Sequence, residues 1–284
     1  MKNFGLVMNH HYKEIHLVFH LLENLHRNKD INLYFFSDQE GTFPIFIKQY
    51  YPQKSEKLDC ILVFGGDGTF LRAIDISLAM NAPLLGINLG KLGFLSESSL
   101  KELEKSIDNL KKNRFKVQAR MLLKVSLRRQ GETLLSYLAL NDAVINKGQS
   151  PKLIDIRVSS NNRFVVQTRC DGIIVASPTG STAYSLSAGG PIISPVMDAI
   201  VLTPLNPHVL TVRPMVFAAA DIIKLRFLNG NEQSYLQLDG QNKHLLQQQD
   251  EIIITAASQK VNFIKLTNKT FFQILRKKFH MGKK

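Results

Sequence analysis

The chain has 284 residues, a length that suggests about two domains. Its 44% hydrophobic and 21% charged content supports a core of ordinary size, and two distant cysteines, Cys60 and Cys170, exclude a disulfide framework or a cysteine zinc site. A formal charge of +13 favours anionic partners, but the cations fall in short runs, "KKNR" (111–114), "RR" (128–129) and "RKK" (276–278), which read as solvated surface and do not choose among nucleic acid, lipid and nucleotides.

The first hundred residues alternate between strand-type and helix-type patterns. "FGLVM" (4–8), "INLYFF" (31–36), "CILVF" (60–64) and "PLLGIN" (83–88) are short apolar runs. Between them, "YKEIHLVFHLLENLHRN" and "TFLRAIDISLAMN" carry apolar residues at helical spacing. The alternation predicts a parallel sheet with flanking helices. In "SSLKELEKSIDNLKKN", Ser99 and Glu102 form a capping box, and Leu100, Leu103, Ile107 and Leu110 mark one helical face. From about residue 115 the texture changes to β-type runs, among them "KVSLRR", "SYLALNDAVI", "LIDIRVSS", "RFVVQTR", "GIIVAS", "IIKLRF" and "SYLQLDG", with "SSNN" and "LNGNE" as turns. The expected architecture is an α/β domain over 1–114, then a β-rich, mainly antiparallel, sandwich-like domain over 115–262. The last stretch, 263–284, is read as a helix returning to the first domain. The N-terminal apolar run is too short for a signal peptide, and no stretch approaches the roughly 20 apolar residues of a membrane span. The cysteine usage fits a reducing cytoplasm.

Four segments carry polar groups that chemistry would need. "GGDGT" (65–69) follows a buried strand, where ligands of α/β sheets bind. Gly65, Gly66 and Gly68 admit unusual backbone angles and leave N–H groups at a helix start open to phosphate, although Asp67 also suits a tight turn with an N-cap. The spacing of a Walker-type loop is absent. "CDGIIVASPTGSTAYSLSAGGPI" (170–192) concentrates hydroxyls and bare backbone, a surface fit for a polar or phosphorylated ligand. Asp171 precedes a buried run, where a carboxylate must be paired or used. In "LNDAVINKG" (140–148), Asn141 and Asp142 offer base-edge recognition or a turn. "LQLDGQ" (236–241) reads first as a hairpin turn at Asp-Gly. The histidines show no ligand spacing.

Taken in order, "GGDGT" (65–69), "GINLGKLGFL" (86–95), "LNDAVI" (140–145), "DGIIVASPTGSTAYSLSAGGPI" (171–192), "TPLNPHVLTVRP" (203–214) and "LDGQ" (238–241) resemble the NAD kinase family over about 180 residues. That family phosphorylates the 2′-hydroxyl of NAD's adenosine ribose. The resemblance implies that Asp67 is the general base. A free aspartate, with a pKa of about 3.9, is a weak base, so it must act as charge develops in the transition state. Gly68 and Arg72 would line the same site. The resemblance carries Asn141, Asp142, Lys152, Arg169, Asp171, Thr182, Ala183, Tyr184, Ser185, Leu186, Ser187 and Gln241 to NAD-binding positions. It implies NAD and ATP (or polyphosphate) as substrates and Mg²⁺ arriving with the donor rather than in a protein cage. It also implies a homo-oligomer, a homodimer or homotetramer, and the chain is expected in the cytoplasm with neither nucleic acid nor membrane as partner. Lys91 and the pair Leu205-Asn206 depart from the family's usual residues. Lipid kinases share the glycine-aspartate turn, but need an apolar slot that the polar segment 177–187 does not suggest. A nucleic-acid binder would answer to the charge and lose affinity steeply with salt.

Overall fold

Residues 1–37, 42–52, 55–90, 93–267, 269–280 and 282 are described by a computed structural model, and the departure at Lys91 lies outside them. The chain divides into two units, Met1–Ala119 with Val261–Lys284, and Arg120–Lys260.

The first unit holds β1 (Asn3–Met8), α1 (Ile15–Lys29), β2 (Asn32–Phe35), β3 (Ile47–Gln49), β4 (Cys60–Phe64), α2 (Asp67–Met80), β5 (Leu84–Asn88), β6 (Ser98–Ser99) and α3 (Leu103–Lys111). Strands β3, β2, β1, β4 and β5 lie side by side in that order, every pair parallel. β4 is apolar throughout because all five residues are buried, as expected of a parallel strand covered on both faces. Val18, Leu22 and Leu25 turn one stripe of α1 inward. Leu103, Ile107 and Leu110 do the same for α3, and the Ser99–Glu102 capping box is present. The short strands β3 and β6 carry too little pattern to be seen in sequence.

The second unit is built from β7 (Lys116–Arg129), β8 (Glu132–Ala139), β9 (Asp142–Asn146), β10 (Ile154–Ser160), β11 (Arg163–Cys170), β12 (Gly172–Ala176), α4 (Tyr184–Ser187), β13 (Ala199–Leu205), β14 (Met215–Ala218), β15 (Ile223–Asn229), β16 (Tyr235–Leu238), β17 (Asn242–Leu245) and β18 (Glu251–Lys265). One sheet of the unit runs β11-β10-β15-β18 and the other β14-β13-β12-β9-β16-β17, with antiparallel pairing. Ile154, Ile156, Leu225 and Ile252 of the first share a core with Ile145, Ile173, Val175, Leu202 and Leu236 of the second, which makes a sandwich. The other face of β12 is buried too. Ile174 and Ala176 pack with Ile193 and Val201, so the segment after β12 folds back as a lid on that sheet.

Beyond Lys260 the chain belongs to the first unit again. Phe263 pairs in parallel with Leu84, adding the end of β18 beside β5. Helix α5 (Phe271–Phe279) follows, opened by a Thr270–Gln273 capping box. Glu97 fixes this return: its carboxylate accepts from Thr267 N at 2.8 Å, Thr267 Oγ1 at 2.7 Å and Leu266 N at 3.1 Å, and pairs with Lys265.

Candidate functional site

In the first unit the site begins where β4 ends. Gly65 N–H donates to Ile87 O at 3.1 Å, so the chain stays tied to the sheet until it turns into α2. None of Gly65, Gly66 and Gly68 is among the positive-φ glycines, which corrects the expectation of unusual backbone angles. Their reasons differ. A Cβ on Gly65 would sit 2.2 Å from Thr69 Oγ1, so packing demands glycine there. Among the described residues, a Cβ on Gly66 or Gly68 would meet nothing within 4 Å. Neither angle nor packing explains those two, and they leave bare backbone facing open space at the N-terminus of a 14-residue helix.

Asp67 is the first residue of that helix, and its side chain is 37% exposed. The loop after β5 holds it. Leu95 N–H lies 3.4 Å from Oδ1, and Gly93 passes so close beneath the carboxylate that a Cβ would sit 2.4 Å from Oδ1. Lys278 of α5 brings its ammonium 3.6 Å from Oδ2. Arg72 lies one helical turn beyond Gly68 on the same face, its Nη2 3.5 Å from Met8 O at the carboxyl end of β1.

In the second unit a buried carboxylate organises the strand ends. Asp239 accepts from the N–H groups of Leu140 at 2.8 Å, Asn141 at 2.7 Å and Asp142 at 3.1 Å. "LDGQ" is indeed a hairpin turn between β16 and β17, with Asp239 and Gly240 both at positive φ and Gln241 N–H returning to Leu238 O. The turn therefore aims one carboxylate at the backbone of the Asn141-Asp142 corner. Asp142 is buried beside it, and desolvation, reinforced by the Asp239 charge, pushes its pKa up to about 7.

The hydroxyl-rich segment departs from expectation in a specific way. Ser177, Ser181 and Ser185 are fully buried, and their hydroxyls are spent inside the protein. Ser177 bonds to Leu140 O and receives Gly180 N–H, Ser181 bridges Pro178 O and Ile193, and Ser185 meets Thr203 Oγ1 at 2.9 Å. Thr182 caps back on Thr179 O at 3.2 Å. They shape the loop rather than coat its surface. What the segment exposes is Tyr184, Ser187 and Gly189, with Thr182, Ala183 and Leu186 half-buried. Burial first, then the charges of Tyr235, Asp142 and Asp171, raises the Tyr184 phenol, which puts these four groups in one electrostatic neighbourhood.

Asp171 is paired, as its position required. Lys147 Nζ lies 2.6 Å from Oδ1 and Asn206 Nδ2 donates to Oδ2 at 2.8 Å, and both hold its pKa below the usual carboxylate range. Asn206, one of the two departures from the family pattern, therefore has a local job. Arg169 sits opposite Asp155 on β10, exposed, and Lys152 is exposed in the loop before that strand. Sequence reasoning missed Lys147, Asp239 and Lys278. Only Asp239 left a legible signal, a carboxylate at the end of an apolar run. Among the described residues, no group of three or more His, Cys, Asp or Glu side chains could hold a metal ion, and no helix is long and apolar enough to cross a membrane.

A parallel-sheet unit with an open glycine turn, joined to a β-sandwich with a buried carboxylate corner, defines a two-domain nucleotide kinase by its likeness to known proteins. Family models describing the ATP-NAD kinase N-terminal and C-terminal domains match residues 18–115 and 140–266. The NAD kinase of Desulforamulus reducens is 42% identical over 220 residues, 78% of this chain and 76% of that protein. A yeast NADH kinase complexed with NADH superposes with a TM-score of 0.86 at 26% identity, over 100% of this chain and 89% of that one. An NAD kinase from Archaeoglobus fulgidus in complex with ATP superposes at 0.70, also 26% identical, over 98% of each chain. The chain belongs to the NAD kinase family, phosphotransferases that act on an alcohol group.

Proposed function

We propose that the protein phosphorylates the 2′-hydroxyl of the adenosine ribose of NAD, taking the γ-phosphoryl group of ATP, with Asp67 as general base. The observation that carries the reading is the half-open Asp67 carboxylate at the start of α2, flanked by Gly66 and Gly68, whose backbone faces open space. Asp67 takes the hydroxyl proton as the ribose oxygen bonds to phosphorus. The bond from phosphorus to the bridging oxygen breaks, its electron pair leaves with ADP, and the proton passes from Asp67 to solvent. Such a base contributes on the order of 10²–10⁴ in rate. Alignment of donor and acceptor, and charge neutralisation by Mg²⁺ entering as part of the donor, supply the rest.

Gly68 and Arg72 serve the phosphates. Asn141, Asp142, Lys152, Arg169, Asp171, Thr182, Ala183, Tyr184, Ser185, Leu186, Ser187 and Gln241 form the NAD side. Support for that grouping comes from the shared corner of Asn141, Asp142 and Asp239 and from the neighbourhood of Tyr184, Asp142 and Asp171. Ser185 and Asp171 act by holding their segments in shape, since their polar atoms already have partners. The second unit is the self-association face of a homo-oligomer, a reading supported by the exposed side chains of Leu210, Val216 and Leu245. Two free, buried cysteines support a reducing cytoplasm.

Replacing Asp67 with Asn is expected to reduce NADP formation at least 10²-fold while NAD still binds, with turnover and calorimetry measured on one preparation. Near-normal turnover in that variant would remove the proposed base. A donor panel of ATP, other nucleoside triphosphates and polyphosphate identifies the phosphoryl source.

A further inference from the structure

An aspartate at a phosphate-binding turn raises an electrostatic problem, because the γ-phosphate must come within bonding distance of a hydroxyl that the carboxylate touches. Like charges in a partly desolvated site repel strongly, so a cation is needed between them. Arg72 is directed toward Met8 O, a turn away along α2. Among the described residues, the cation that meets Asp67 itself comes from the other end of the chain.

Lys278 lies in the last turn of α5, and its ammonium occupies two contacts at once. It is 3.6 Å from Asp67 Oδ2 and 4.2 Å above the centre of the Phe94 ring. Phe94 is also packed by Phe271 and Phe279 from the same helix, with ring centres 6.4 and 5.6 Å away. Its neighbours Gly93 and Leu95 hold the Asp67 carboxylate. One short loop therefore positions both the acid and the base-paired ammonium. The helix itself is anchored through the Glu97 clasp on Leu266 and Thr267 and through its capping box. A lysine in a surface run has no need of such fixings. The ammonium side chain remains 33% exposed, and among the described residues 3.6 Å to a single carboxylate oxygen leaves donor capacity unused.

We propose that Lys278 binds the γ-phosphate of the nucleoside triphosphate donor, bridging it to Asp67, so that α5 is part of the catalytic centre. The proposal rests on the reading of Asp67 given above. Lysine suits the task because it acts as a mobile point charge with three donors: the charge stays paired with the carboxylate while a donor turns to phosphate. The Phe94 face keeps the ammonium in place by cation–π attraction when no donor is bound.

The test compares ATP with ADP, which lacks the γ-phosphate. Calorimetry on the full chain carrying Lys278→Met is expected to show ATP binding weakened at least about tenfold, the usual scale for losing a charge-assisted hydrogen bond, with ADP unchanged within twofold. Lys278→Arg should recover most of the ATP affinity, and Lys277→Met, an exposed neighbour, should bind both nucleotides like the parent. Equal weakening of ATP and ADP would show that α5 matters only for shape, and unchanged or tighter ATP binding would show that no phosphate contact exists. Either result overturns the proposal. The assay needs no turnover, so it fails independently of the base: a chain active as Asp67→Asn refutes the base, whereas equal ATP and ADP responses refute the lysine.

Discussion

Two pairs of glycines, one pair in each unit, are there for opposite reasons. In the first unit, Gly66 and Gly68 face open space at the end of β4, and among the described residues nothing would stand within 4 Å of a side chain there. In the second, Gly180 and Gly190 are wedged. A Cβ on Gly180 would sit 2.0 Å from Asn141 O, and one on Gly190 would sit 2.3 Å from Ser185 Oγ. Gly66 and Gly68 leave backbone bare, whereas Gly180 and Gly190 let the second unit bring its own segments together. The same contrast governs their polar groups. Asp67 is half-exposed and lightly held, while Ser177, Ser181 and Ser185 are buried and bonded. A chemical step needs a group free to change its partners; a recognition surface needs a loop with one conformation.

The contrast breaks first at Gly180. Gly180→Ala forces a methyl into the carbonyl of the Asn141 corner, which is backbone and has no rotamer to yield. The expected destabilisation is about 3 kcal/mol, at the high end for overpacking, with NAD affinity lost because the Asp239-bound corner shifts. Thermal melting and NAD calorimetry check this, and a melting temperature within about 2 °C of the parent would show that the corner is softer than its packing implies.

The buried pair Asp142 and Asp239 supplies a second point of attack. The Asp142 pKa is raised to about 7 by burial and the Asp239 charge, against 3.8 for the ordinary group. Between these values the folded chain holds a proton that the unfolded chain has released. This contribution to stability is therefore complete below about pH 3.8 and disappears as pH rises through about 7. Asp142→Asn, which carries no charge at any pH, should flatten this part of the profile and raise the melting temperature at pH 8, at the expense of NAD binding. Unfolding followed at intervals from pH 5 to 8 tests the sign; a parent and variant with parallel profiles would mean that Asp142 ionises freely.

Much of this was legible in the sequence where one residue type had one physical use. The five-residue apolar run of β4, the Ser99–Glu102 box and the stripe on α3 each fix a local structure unaided. The dense motif 171–192 marked the candidate site of the second unit, but not the direction of its hydroxyls, because serine serves equally as ligand donor and internal bond. Pairings between distant positions left no local trace. Lys147 with Asp171, and Lys278 with Asp67, join residues whose spacing follows from the fold. The run "RKK" read as solvated surface because nothing nearby in sequence says that its last lysine faces a carboxylate 211 positions earlier, the difference between 278 and 67.

Gly68 makes the smallest change in stability and the sharpest test of the comparison. It is the second residue of α2, its φ is not positive, and among the described residues a Cβ there meets no atom within 4 Å. By intrinsic preference alanine is better in a helix than glycine, so Gly68→Ala should keep the fold or stabilise it by about 0.5 kcal/mol. If the bare backbone exists to let phosphate oxygens reach the N–H groups of the first turn, that added methyl occupies the approach instead. Turnover should then fall at least about tenfold, with the KM for ATP raised, while the melting temperature holds or rises. A variant that is both stable and fully active would mean that the phosphates pass elsewhere, and the open glycines would lose the reason argued for them. A variant that melts early would mean instead that the turn is packed in solution as tightly as Gly180, and the distinction between the two halves would disappear with it.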